Sequence, residues 1–146
     1  MNILDFQARK AAGDKISMVT CYDSWSAALI AETDVDCVLV GDSLAMVVYG
    51  HDTTLPADMR AMVAHTAAVR RGGPQLFIIG DMPFLSYRKG LTVAMDNIGE
   101  LMRAGANAVK ILQRLLRDMG HGVAVDGVIG PQTAAAAHAA ARAAPD

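Results

Sequence analysis

The chain has little cysteine. Cys21 and Cys37 stand alone, far from each other and at no metal-binding spacing. This excludes a disulfide framework and a thiolate metal centre, and both residues are expected to be reduced, partly buried thiols of a cytoplasmic protein. No apolar stretch approaches the roughly 20 residues that a membrane helix needs, so no membrane segment is expected. The first residues, Met1-Asn2-Ile3-Leu4-Asp5-Phe6, show no basic stretch followed by an apolar core, so no signal peptide is expected. Lys and Arg are scattered, the net charge is −2 and the isoelectric point is near 6.0. A basic footprint for nucleic acid is therefore missing.

What is present is apolar and regular. Of 146 residues, 53% are hydrophobic and 19% charged, which excludes a disordered chain and allows one modest domain with a buried core. Residues 2–12 read as an amphipathic helix anchored by Ile3, Leu4 and Phe6 and ended by Gly13. Residues 16–20 read as a strand. Asp23-Ser24 can cap a helix from Trp25 to about Glu32. Cys37 to Val40 reads as a second strand, followed by a loop from Asp42 to Leu55. Pro56 suits the first turn of a helix reaching about Arg71. Gly72-Gly73-Pro74 breaks it ahead of a third strand, Gln75 to Ile79. Thr92 to Ala104 reads as a helix, and Gly105-Ala106 separates it from a fourth strand, Ala108 to Ile111.

Strand and helix in steady alternation predict an α/β fold with a parallel sheet and right-handed crossovers. Asp81 follows Asp42 by 39 positions, and Lys110 follows Asp81 by 29. An eight-unit barrel of about 250 residues averages about 31 per unit. The spacing thus fits part of a (β/α)8 barrel, and it fits an open doubly wound sheet equally.

Two of these strands end alike. Cys37-Val38-Leu39-Val40 runs into Gly41-Asp42, and Leu76-Phe77-Ile78-Ile79 runs into Gly80-Asp81. Parallel β/α proteins place functional acids at the carboxyl ends of their strands. Two such acids from different strands predict one shared site for a hard metal ion. The structural alternative is that each Asp caps the next helix or closes a turn.

The stretch from Thr20 to Lys110 resembles ketopantoate hydroxymethyltransferase. The resemblance is carried by Thr20-Cys21-Tyr22-Asp23, by Val38-Leu39-Val40-Gly41-Asp42-Ser43-Leu44 and by Tyr49-Gly50-His51-Asp52-Thr53-Thr54-Leu55-Pro56. It continues through His65-Thr66-Ala67-Ala68-Val69-Arg70-Arg71-Gly72, Asp81-Met82-Pro83-Phe84 and Met102 to Lys110. It implies a half-barrel over residues 1–111, the first four of eight β/α units. It also implies transfer of a hydroxymethyl group from 5,10-methylenetetrahydrofolate to 3-methyl-2-oxobutanoate, giving 2-dehydropantoate for pantothenate synthesis. By resemblance, Asp42 and Asp81 are ligands of a Mg2+ ion, Ser43 hydrogen-bonds the carboxylate of the α-keto acid, and Lys110 pairs with the substrate's negative charge. Ser43 could instead be a turn residue and Lys110 a solvated strand end.

The chain also departs from the family pattern. The third metal carboxylate is expected two residues after the lysine, where this chain has Leu112. The catalytic base, a glutamate on a later strand, has no counterpart, so no catalytic residue is assigned. Tyr22 and Asp23 can line the mouth of the sheet, with helix capping the favoured role for Asp23. His51 and His65 are read as structural, Arg70-Arg71 as a solvated helix end and the nine methionines as core filler.

From Leu112 onward the alternation stops, and a helix-turn-helix tail is expected over residues 112–146. Leu112-Gln113-Arg114 and Val123-Ala124-Val125-Asp126-Gly127-Val128-Ile129-Gly130-Pro131-Gln132-Thr133 resemble part of a peptidoglycan-binding module of phage-type muramidases. A binding module for cell wall and an inactive chimeric product therefore stand as alternatives to the transferase. Four units of a barrel leave open parallel edges, so a homo-oligomer, pairing two half-barrels, is expected.

Overall fold

The computed structural model describes residues 2–110. Helix α1 (Ile3–Ala12) begins with Asn2, whose side chain accepts from the Leu4 and Asp5 amides, while the Asp5 carboxylate accepts from the Asn2 amide. This reciprocal cap satisfies donors that a first helical turn leaves free. Gly13 closes the helix in the left-handed region, at φ 78°.

Four parallel strands follow: β1 (Met18–Thr20), β2 (Cys37–Val40), β3 (Ile78–Gly80) and β4 (Ala108–Val109). They lie side by side in chain order. Among the described strands there is no reversal of order, which a doubly wound sheet requires. Helices α2 (Ser24–Ile30), α3 (Leu44–Val47), α4 (Met59–Gly72) and α5 (Leu91–Arg103) fill the crossovers.

Alternation along the strands sorts their side chains onto two faces. Val38, Val40, Ile78 and Val109 join Ala27, Met62, Val69, Ile98 and Leu101 from the helices in the main core. Cys37, Phe77 and Ala108 face the other way and meet Phe6 of α1, whose ring lies 4.7 Å from that of Phe77. All of β2 is buried, as expected for a strand covered on both faces. The outer strand β1 is not: Met18 is 55% exposed and Val19 39%.

Several local expectations change. Of the α1 anchors with described side chains, Phe6 is buried and Leu4 is exposed. Helix α4 starts at Met59, capped by Asp58, whose carboxylate accepts from the Ala61 amide; Pro56 lies in the turn ahead of it. The stretch read as loop from Asp42 to Leu55 contains the short helix α3. Arg70 is no solvated helix end. Its guanidinium donates to the carbonyls of Pro74, Leu76 and Gly105 and to Asn107 Oδ1, which also accepts from the Ile78 amide. One cation thus fastens the approaches to β3 and β4. The expected tail, 112–146, and the end of the fourth strand at Ile111 lie outside the described residues.

Candidate functional site at the carboxyl ends of the strands

The register brings the predicted residues to one level. Thr20 pairs with Leu39, Leu39 with Ile79 and Ile79 with Ala108. Backbone bonds carry the ladder beyond this row: Cys21 N–H donates to Leu39, Asp81 N–H to Val40 and Lys110 N–H to Gly80. Two steps past the Thr20–Leu39–Ile79–Ala108 row stand Tyr22, Gly41, Asp81 and Lys110. By strand alternation, Gly41, Asp81 and Lys110 fall on the face shared by Leu39, Ile79 and Ala108, away from the main helical core.

Asp81 is buried. The Lys110 ammonium sits 3.5 Å from each of its carboxylate oxygens. Burial pushes the Asp81 carboxyl above the usual range. Lys110 pulls it back, the negative charge of Asp42 raises it further, and the Asp42 backbone N–H stabilises its ionised form. Asp42 and Asp81 are therefore close enough to repel, which is the electrostatic setting that a divalent cation relieves.

Gly41 provides the room. A Cβ at this position would lie 2.9 Å from Ser43 Oγ and 3.5 Å from Asp81 Oδ2. The missing side chain leaves a cradle lined by one hydroxyl and one carboxylate. Ser43 occupies the N-cap position of α3, yet its side chain makes no cap hydrogen bond. Its Oγ lies instead 2.9 Å from the Tyr22 hydroxyl. Asp23, the next residue, caps α2 as expected, accepting from the Ser26 amide and hydroxyl.

Asp42, Ser43, Asp81 and Lys110 thus converge from three strand ends. Two further members join them: Tyr22, expected from the sequence to line the mouth, and Gly41, which the sequence does not single out as a site residue. Their signal is positional: each stands on the same register row as Asp81. Among the described residues no group of three or more His, Cys, Asp or Glu side chains is placed to hold a metal. Magnesium is nevertheless commonly held by one or two carboxylates, with water and substrate oxygens completing its shell. Two acids, a hydroxyl and an open cradle between them fit that mode.

A parallel β/α sheet that gathers acids and a lysine at its carboxyl edge defines an α/β fold with the site placement that β/α-barrel enzymes also use. The family model described as ketopantoate hydroxymethyltransferase matches residues 1–135. The chain belongs to the ketopantoate hydroxymethyltransferase family. It is 61% identical over 111 residues to the 3-methyl-2-oxobutanoate hydroxymethyltransferase of Coxiella burnetii (strain Dugway 5J108-111), covering 76% of this chain and 42% of that protein. With the enzyme of the same name from Bdellovibrio bacteriovorus it shares 55% identity over 109 residues, 75% of this chain and 41% of that protein. The chain therefore spans less than half the length of these relatives. The family match continues past residue 111 into the expected tail, whereas these alignments extend over 109 to 111 residues. Among solved structures, a 2,3-dimethylmalate lyase of the PEP mutase/isocitrate lyase superfamily superposes with a TM-score of 0.57 at 18% identity. That match covers 97% of this chain and 48% of the lyase, and it speaks for the fold alone.

Proposed function

We propose that this chain forms the first four units of a (β/α)8 barrel and supplies the keto-acid half of a hydroxymethyltransferase site. The proposed substrate is 3-methyl-2-oxobutanoate, with 5,10-methylenetetrahydrofolate as one-carbon donor. The observation that carries this reading is the convergence of Asp42, Ser43, Asp81 and Lys110 around the Gly41 cradle.

The roles follow from charge and donor type. Asp42 and Asp81 supply hard oxygen ligands for a Mg2+ ion. When bound, such an ion supplies Lewis-acid polarisation of the keto-acid carbonyl. Ser43 donates its hydroxyl proton to the substrate carboxylate. Lys110 places positive charge beside it and partly offsets the rise that burial imposes on the Asp81 carboxyl. These four residues bind and orient; none is assigned the removal of the substrate proton. The exposed β1 edge favours association with a second copy. For residues 112–146, the cell-wall module remains a second reading that rests on their sequence pattern.

Calorimetric titration with 3-methyl-2-oxobutanoate, with and without Mg2+, tests the reading. Binding that requires Mg2+ and is lost in Asp81→Asn is expected. Equal heats in the parent chain and in Asp81→Asn would remove the proposal.

A further inference from the structure

The hydrogen bonds behind Ser43 lead to a residue outside the site. Ser43 begins the short helix α3 without capping it, so the helix does not orient its hydroxyl. The Tyr22 hydroxyl, 2.9 Å away, does. Tyr22 is itself held from behind. Its backbone carbonyl meets Nδ1 of His65, and a carbonyl can only accept, so Nδ1 carries the proton. Its other nitrogen, Nε2, lies 2.8 Å from the Tyr49 hydroxyl, within hydrogen-bond reach.

His65 therefore grips both sides of the segment that carries Ser43. Tyr22 lies on the β1–α2 connection and Tyr49 lies just beyond α3. The post is firm, because His65 sits mid-way along α4, whose neighbouring Met62, Thr66 and Val69 are fully buried. Tyr49 is half-exposed, and its ring lies edge-on to the His51 and His65 rings.

We propose that His65 is a positioning residue for the keto-acid site, acting through Tyr22 and Tyr49 to hold the Ser43 hydroxyl towards the substrate carboxylate. The inference rests on the binding role given to Ser43 above. It also sets the direction of the bonds. When Ser43 O–H donates to an anionic ligand, its oxygen is left to accept, so Tyr22 O–H is the donor between them. Such a chain of donors polarises in one direction and strengthens the terminal bond.

The test uses the full 146-residue chain and four substitutions: Tyr22→Phe, His65→Ala, His65→Asn and Ser43→Ala. Asn presents an N–H close to the Nδ1 position, whereas Ala presents none. In ligand-free chains, the Ser43 amide resonance is expected to move in Tyr22→Phe and His65→Ala and to return towards its parent position in His65→Asn. In titrations with Mg2+ and 3-methyl-2-oxobutanoate, Tyr22→Phe and His65→Ala are each expected to weaken binding about threefold to tenfold. Neither is expected to weaken it further in a Ser43→Ala background, which a merely structural role would not predict. A Ser43 resonance unmoved in both variants overturns the proposal, as does an affinity loss that persists undiminished without the Ser43 hydroxyl. If the parent chain binds no keto acid, the function proposed above fails, and the ligand-free resonances alone decide the positioning role.

Discussion

Lys110 and Asp81, one step beyond the paired residues of β4 and β3, face each other with the ammonium nitrogen 3.5 Å from both carboxylate oxygens. The contact does two things. It offsets the burial of Asp81, and it leaves a cation at the mouth of the sheet. Replacing Lys110 by Met keeps the stem and removes the charge. Charge-assisted hydrogen bonds contribute about 1.5–3 kcal/mol. The Lys110 side chain is more than half exposed, so solvent screening places the loss at the lower end. Titration of Lys110→Met with 3-methyl-2-oxobutanoate and Mg2+ is expected to show affinity about tenfold below the parent.

Gly41 is expected to be irreplaceable for binding and nearly replaceable for folding. A methyl group there meets the Ser43 hydroxyl at 2.9 Å, not backbone. Gly41→Ala should therefore cost about 1 kcal/mol of stability, the low end of overpacking, while closing the cradle to ligand. Gly72 makes the opposite control. Its added Cβ would lie 2.0 Å from the Ser24 carbonyl, where α4 passes the start of α2. Gly72→Ala should lower Tm more than Gly41→Ala does, because backbone has to move. Thermal unfolding of the two variants beside their ligand titrations separates the effects.

Position 112 tests the metal reading from the other side. The family pattern expects a carboxylate two residues after the lysine, and this chain has Leu112. Affinity for a hard cation rises with the number of charged ligands. Leu112→Glu is expected to tighten Mg2+ binding about tenfold, measured by calorimetry. An unchanged affinity would count against Asp42 and Asp81 as its partners.

Asp36 is expected to contribute to stability that acid removes. Its carboxylate accepts from the Ser17 amide at 2.7 Å and from the Ser17 hydroxyl at 2.9 Å, and it pairs with Arg9 of α1. These bonds, the Ser17 amide first and Arg9 next, hold its pKa down to about 2 from an ordinary 3.8. A carboxyl whose folded pKa is depressed adds stability that is present above its unfolded pKa and lost as pH falls through the folded one. The Tm of the parent chain should therefore drop between pH 3.8 and about 2. Asp36→Asn should start lower at neutral pH and fall less steeply across that window.

Much of this was legible in the chain, and what was not has physical reasons. Cys37 to Val40 reads correctly as a strand because four apolar residues are bounded by Asp36 and Gly41. The acids at 42 and 81 stand out because each follows a glycine at a strand end. Helix α3 escapes notice because its four residues are too few to show a helical period. Arg70 misleads because a cation in the last turn of a helix is usually solvated, while its acceptors sit at residues 74, 76, 105 and 107. Gly41 joins the site only through register, a relation between strands that no single segment displays, and the same register gives Tyr22, expected at the mouth, its place beside Ser43. The sheet order, β1 to β4 without reversal, is likewise set by which strands pair.

The central claim is that the strand ends of this chain form one keto-acid and Mg2+ site. Backbone amide resonances followed during titration with 3-methyl-2-oxobutanoate in the presence of Mg2+ test it most directly. The account predicts saturable shifts clustered at Tyr22, Gly41, Asp42, Ser43, Asp81 and Lys110, and their absence without the metal. Resonances that stay in place there at saturating ligand, or that move only elsewhere in the chain, would contradict it.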